Sequence, residues 1–312
     1  MNVQNVTDRV SIVRDSEHDR DVHALGAVLP ARTIKSRRFM DDPEVPVSGP
    51  LSVFDPSVPQ SARVCDAWLG GKDHYGADRD VAARVAEVRP QVVAAARANR
   101  GFLIRSVRYL VQRHGVSQFL DIGTGLPTRE NTHQIAQGVD PRARIVYVDH
   151  DPVVMAHAQA LLTSGPLGCC DYLHADLRDT GSILRYAART LDFAQPVALL
   201  LLAVLHFVPD ADNPPGIVAA LTKGLARGSF VVISHLTADF APEAVRDAAE
   251  IYNKVVSTPV MPRSHTEVSG LFAGLPLVAP GMVPVNEWRP DAIARQVVDL
   301  YGGVARTSAR GR

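Results

Sequence analysis

Gln118-Phe-Leu-Asp-Ile-Gly-Thr-Gly-Leu-Pro127 begins as a short apolar strand and ends in a turn built on Gly123 and Gly125. Residues 144–149 (RIVYVD) repeat the strand signal, and Pro152 opens the helical run VVMAHAQALL. The alternation continues downstream. Strands are expected near 170–174, over 197–205 and over 229–234, separated by helices over 182–191 and 215–226, and a helix over 129–138 joins the first two strands. Helices of this length between strands require crossover connections, hence a parallel sheet covered on both faces. Helices over 242–256 and 266–272 and closing strands over 277–285 and 297–304 complete an α/β, doubly wound, mostly parallel seven-stranded sheet.

Upstream the period is helical throughout. Ala62, Cys65, Trp68 and Leu69 share one face before Gly70-Gly71 stops the helix; a second helix runs over 79–87, and one or two more over 92–111. The expected organisation is a disordered tail over 1–50, a helical cap over 51–114 and the α/β domain over 115–312. The tail mixes both charge signs with Pro30, Pro43, Pro46 and Pro50 and shows no sustained apolar period.

Composition excludes several function classes. The chain has 312 residues, with 33 Lys+Arg against 33 Asp+Glu, so it lacks the basic surplus of a nucleic-acid or anionic-membrane binder. Its longest apolar run, 197–205, falls far short of the ~20 residues of a membrane span. Three cysteines, two of them adjacent (Cys169-Cys170), make neither a disulfide framework nor a zinc motif. A cytoplasmic protein is the expectation.

Ligands of open parallel sheets bind beyond the carboxyl ends of the strands. Four successive strand ends here carry polar groups: Asp121 with the glycine turn, Asp149-His150-Asp151, His174-Ala175-Asp176-Leu177, and His206 with Asp210. Asp149 suits the two hydroxyls of a ribose, whereas Asp151, directly before Pro152, suits a helix N-cap. Asp176 and Leu177 could meet an adenine, although an Asx turn would also account for Asp176. The dinucleotide fingerprint asks for Gly or Ala at the position of Thr128, and Asp121 would serve a pyrophosphate poorly, which disfavours NAD. No Gly-Lys-Ser/Thr phosphate loop is present. S-adenosylmethionine, with ribose, adenine, ammonium and sulfonium but no phosphate, matches the acids.

Five segments carry a family resemblance: ARVCDAWLGGKDHYGADRD, ANRGFLIRSVRYL, QFLDIGTGLPTRENTHQIAQ, ARIVYVDHDPVVMAHAQALL and VALLLLAVLHFVPD. The chain resembles the Rossmann-like class I S-adenosylmethionine-dependent methyltransferases, and more narrowly an actinobacterial family long catalogued as a domain of unknown function. The resemblance implies that Asp121, Gly123 and Gly125 underlie the methionine part of the cofactor, that Asp149 holds the ribose, and that Asp176 with Leu177 frames the adenine. Leu126-Pro127 departs from the broad class, where a third glycine is common. The Lys72-Asp73-His74-Tyr75 loop is expected to fold over the cofactor or to shape the acceptor pocket. Arg100, with Asn99, is a candidate clamp for the cofactor carboxylate.

Methyl transfer is an in-line displacement in which positioning does most of the work, and a base is needed only where the nucleophile must lose a proton. His206, His74 and Tyr75 are the candidate catalytic residues, with Asp210 and His235 behind them. A small-molecule acceptor is expected. No Asn-Pro-Pro-Tyr type signature occurs, Asp212-Asn-Pro-Pro-Gly216 being the nearest string, so a non-catalytic S-adenosylmethionine or S-adenosylhomocysteine binder stays open as the alternative.

Overall fold

A computed structural model describes residues 55–291 and 296–307; the expected tail over 1–50 lies outside them. Three helices come first: α1 (Ser61–Leu69), α2 (Gly76–Val88) and a single long α3 (Gln91–His114). The α/β alternation then runs β1 (Gln118–Ile122), α4 (Thr132–Gln137), β2 (Arg144–Asp149), α5 (Pro152–Leu161), β3 (Cys169–His174), α6 (Thr180–Ala187), β4 (Ala198–Leu202), α7 (Pro214–Thr222) and β5 (Phe230–Leu236). The remaining elements are α8 (Pro242–Asn253), α9 (His265–Gly270), β6 (Val283–Pro284) and β7 (Leu300–Arg306).

These strands form one seven-stranded sheet ordered β3-β2-β1-β4-β5-β7-β6. β1 to β5 pair in parallel, whereas β7 runs antiparallel to β5 and β6 antiparallel to β7. The order reverses between β1 and β4, so the ends of those two strands flank the crevice where ligands bind in such sheets. Every residue of β1 and β4 is buried, as both-face coverage by helices demands.

Two boundaries differ from the sequence expectation for physical reasons. The fourth strand stops at Leu202 because Ala203 adopts a positive φ of 53°, and Leu205–Phe207 then form a 3-10 turn. Over 277–285 only Val283–Pro284 joins the sheet as a strand, with Leu277 making a single bridge to Ala305. Of the apolar residues there only Met282 and Val285 are buried, and Leu277 is exposed.

Packing sets the helical cap on the α/β domain. α3 joins the main core through Phe102, Val107 and Leu110, and Phe102 meets Trp288 edge-on at 5.3 Å. α1 and α2 form a second apolar cluster, in which Val64, Val81 and Val85 pack with Ala248, Ala249 and Tyr252 of α8. The cap thus rests on a helix of the α/β domain, and a space is left between them above the strand ends.

Candidate active site

The strand ends and the underside of the cap line one cavity of about 450 Å3. Asp121, Gly123, Gly125, Asp149, Asp176, Leu177, Arg100 and His206 all border it, so eight residues singled out in the sequence meet in space. His74 and Tyr75 do not. Tyr75 is the N-cap of α2, and His74 lies behind Asp66, with its Nδ1 2.7 Å from Asp66 Oδ2.

The glycine turn is held from two sides. Gly123 has a φ of 75°, and a Cβ there would lie 2.4 Å from Val204 Cγ2, so the chain following β4 packs against bare backbone. Asp149 is buried at the end of β2; Oδ2 accepts from the Gly125 N–H at 2.9 Å and Oδ1 from the Asp151 N–H at 3.0 Å. A carboxylate has roughly four acceptor positions, so two bonds leave capacity for the hydroxyls of a ribose. Asp151 plays the N-cap part expected of it, accepting from the Val153 N–H at 2.8 Å. His150, next to the Asp149 carboxylate that raises its pKa, sits at the cavity rim.

Asp121 is buried at the end of β1 and accepts from the Thr132 hydroxyl at 2.7 Å. Burial pushes its carboxyl up to about 6, although the Thr132 bond and the nearby Arg100 guanidinium pull the other way. Arg100 spends Nη2 on the carbonyls of Arg129 and Glu130 (3.3 and 3.0 Å), bracing the far end of the turn. Its other guanidinium nitrogens make no hydrogen bond among the described residues. Asn99, one residue earlier on α3, accepts at Oδ1 from the Ser234 hydroxyl (2.6 Å), which itself takes the Ala203 N–H (2.9 Å). That chain fixes the Asn99 amide with its nitrogen as the remaining donor.

Asp176 departs from the simplest expectation. Its carboxylate takes the Arg178 N–H, Nε and Nη2 at 2.8, 2.9 and 2.5 Å, and the pairing holds its pKa below the usual range. This is the Asx-turn geometry weighed for it in the sequence, with a guanidinium added.

His206 also changes character. Its ring is buried, and Nδ1 accepts the Leu236 N–H at 3.3 Å. Burial, then His235 and Arg263, depress its pKa well below the ordinary histidine value. A neutral ring accepting at Nδ1 carries its proton on Nε2, so the group is a donor as it stands and no ready base. His235 is occupied as well: Nδ1 donates to the Leu236 carbonyl (2.7 Å), and Nε2 lies 2.9 Å from Arg263 Nη1. Arg263 in turn binds Asp210 at 2.6 Å.

The Lys72–Tyr75 loop is organised by Asp66, which accepts the Asp73 N–H at 2.9 Å as well as pairing His74. A Cβ at Gly71 would fall 1.9 Å from Asp66 Oδ1, so any larger residue there displaces the Asp66 carboxylate. Asp73 and His157 of α5 stand 3.9 Å apart, so the loop reaches the helix that follows Asp149. Burial pushes the Cys65 thiol up to about 11 and Cys170 to about 12, which leaves neither as a nucleophile at neutral pH. Among the described residues no group of three or more His, Cys, Asp or Glu is arranged to hold a metal. No described helix is long and apolar enough to cross a membrane.

Residues 50–308 match the family described as S-adenosyl methyltransferase. The chain belongs to that family. Two solved structures are similar to this methyltransferase over 81% of its length. One is a DUF574 family protein from Streptomyces avermitilis MA-4680, 42% identical, with 99% of that chain covered and a TM-score of 0.78. The other is a candidate methyltransferase from Thermobifida fusca YX, 38% identical, with 96% of that chain covered and a TM-score of 0.75. A search of curated proteins found no match. Family membership decides for a methyltransferase using S-adenosylmethionine over the nicotinamide and binding-only alternatives. The donor set fits that cofactor: the buried Asp121 and Asp149 carboxylates border the cavity beside a bare-backbone turn, and among the described residues no lysine borders it.

Sequence reasoning missed Thr132 and Ser234. Thr132 stands inside the segment 118–137 and Ser234 on a strand without a motif; each matters through its spatial partner, Asp121 or Asn99.

Proposed function

We propose that this methyltransferase alkylates a small molecule held beneath the helical cap, with Asp149 on the ribose hydroxyls, Asp121 facing the ammonium, Arg100 reaching the carboxylate, and Leu177 with Asp176 beside the adenine. The observation that carries the reading is the continuity of one cavity from Asp149 at the strand ends to Trp68 and Val85 under the cap. A concave chamber of this volume suits a small ligand, and the zero net charge supports no polyanionic partner. Bound there, the cofactor supplies an electrophilic methyl carbon. The protein's share is positioning: Gly123 and Gly125 offer backbone, Asn99 Nδ2 and His206 Nε2 offer donors, and the cap excludes water. His74 and Tyr75 take no direct part: His74 pairs with Asp66 and Tyr75 caps α2. Three free cysteines, and relatives from Streptomyces and Thermobifida, support a cytoplasmic enzyme of an actinobacterium.

Titration calorimetry with S-adenosylhomocysteine tests the cofactor half. Wild type should bind, NAD should not compete, and both Asp149→Asn and Asp149→Ala should weaken binding at least tenfold. Asp151→Ala should cost about 1 kcal/mol of stability, as lost N-caps do, and leave affinity intact. Unchanged affinity in both Asp149 variants removes the ribose assignment. With methyl-labelled cofactor and cell extract, label should enter the small-molecule fraction; label found only on macromolecules overturns the acceptor class.

A further inference from the structure

The cap contributes a carboxylate that the cofactor leaves unused. Ala62, Cys65, Asp66 and Leu69 recur at three- and four-residue spacing, so they share one face of α1, and all four border the cavity. The Asp66 side chain is only 4% exposed. Its two oxygens have different surroundings. Oδ2 is committed to the 71–75 loop, through His74 Nδ1 at 2.7 Å and the Asp73 N–H at 2.9 Å. Oδ1 lies beside the bare Gly71, accepts no hydrogen bond among the described residues, and is not sealed from solvent. The loop thus holds the carboxylate in one place by one oxygen and leaves the other to a ligand.

The arginines that border the cavity are already matched. Arg89 binds Asp299 in bidentate fashion at 2.7 and 2.9 Å, Arg178 binds Asp176 and Asp212, and Arg100 stands beside Asp121. Among the described residues no lysine or arginine pairs with Asp66. A buried carboxylate oxygen without a cation is costly once water leaves, and a ligand that brings a positive charge removes that cost. The cofactor's own ammonium and carboxylate are taken by Asp121 and Arg100 in the reading above, so the charge that meets Asp66 comes from the acceptor.

We propose that Asp66 is the acceptor-binding residue of the cap, and that the acceptor is a small amine whose ammonium group pairs with Asp66 Oδ1. The inference rests on the methyl-transfer reading above and adds the chemical class of the acceptor to it. The cavity of about 450 Å3 is near the lower end of ligand pockets and holds the cofactor as well, so the acceptor is a compound of few heavy atoms. Asp66 anchors the acceptor by charge; it is not required to take its proton.

The test uses the full chain saturated with S-adenosylhomocysteine, whose own ammonium then occupies Asp121, and titrated at pH 7 with butylammonium, 1-butanol and butyrate by ligand-detected NMR. Butylammonium should bind wild type about tenfold more tightly than 1-butanol, as a charge-assisted pair implies, and butyrate should not bind measurably. Asp66→Asn keeps an acceptor for the Asp73 N–H. It should bring butylammonium to the level of 1-butanol, while the affinities for 1-butanol and S-adenosylhomocysteine stay as in wild type. Label passed from methyl-labelled cofactor to the small molecules of a cell extract should be retained on a cation exchanger at pH 7. No butylammonium binding, equal binding of butylammonium and 1-butanol, a preference that survives in Asp66→Asn, or a labelled product that is neutral or anionic overturns the inference and leaves methyl transfer standing. So does an Asp66→Asn protein that melts like wild type but no longer binds S-adenosylhomocysteine, which puts the carboxylate on the cofactor. Where Asp66→Asn does not fold, the ranking of the three ligands on wild type decides. Failure of wild type to bind S-adenosylhomocysteine overturns both readings, and is a separate measurement.

Discussion

Replacing Asp121 by Asn should raise the stability of the ligand-free protein at neutral pH while removing its response to the cofactor's ammonium. Burial moves this carboxyl from 3.8 to about 6. Each pH unit between those two values is worth about 1.4 kcal/mol, so the ionised native state carries a penalty on the order of 3 kcal/mol. The sign follows from proton counts. Between the two pKa values the native state holds a proton that the unfolded chain has released, so this group's contribution falls as pH rises from about 4 to 6 and stays low above. Asp121→Asn should therefore be more stable than wild type at pH 7.5 by up to about 3 kcal/mol, and the gap should close by pH 4. Binding should run the other way. With a pKa of about 6, only about a tenth of the carboxylate is ionised at pH 5 against about nine tenths at pH 7. Wild-type affinity for S-adenosylmethionine should then be about tenfold weaker at pH 5, whereas Asp121→Asn should bind weakly at both. Chemical denaturation and calorimetry across this range measure both effects. Parallel stability curves for the two proteins, or a wild-type Kd flat from pH 5 to 7, would refute the reasoning.

Two further outcomes follow from the site. Gly71→Ala, whose Cβ would fall 1.9 Å from Asp66 Oδ1, should displace the 71–75 loop, cost about 1–3 kcal/mol through the lost bonds to Asp66, and expose the loop to proteolysis; unchanged cleavage and melting argue against Asp66 as its organiser. Burial depresses the pKa of both His206 and His235, the latter to about 4. Their rings should thus keep neutral nitrogen chemical shifts down to pH 5, and stability should fall as pH drops below 6.5 by up to about 1.4 kcal/mol per pH unit from each. A His206 titration midpoint near 6.5 would return it to the list of bases.

The α/β alternation was legible because each strand and helix has its own period. The glycines and aspartates at the strand ends were legible because they stand at fixed offsets from the strands, and the structure brings them to one cavity. Asp151 was read correctly as a cap from the proline beside it. His74 and Tyr75 do not border the cavity: the motif around them is dominated by Gly71 and Asp66, which build the loop, and of these only Asp66 reaches the cavity wall. His206 stands at a strand end as expected, but a backbone N–H from the neighbouring strand fixes its tautomer, and a linear pattern holds no record of that.

The sequence by itself determined the layered sheet, the place where ligands approach it and the acidic character of that edge, because these follow from local periodicity and from residues at fixed offsets to the strands. Tertiary structure alone decided which of those residues are free to act. Arg178 occupies Asp176, burial raises Asp121, and His206 becomes a donor. Each of these outcomes depends on groups distant in sequence that packing places within a few ångströms, where desolvation and hydrogen bonding set the chemistry.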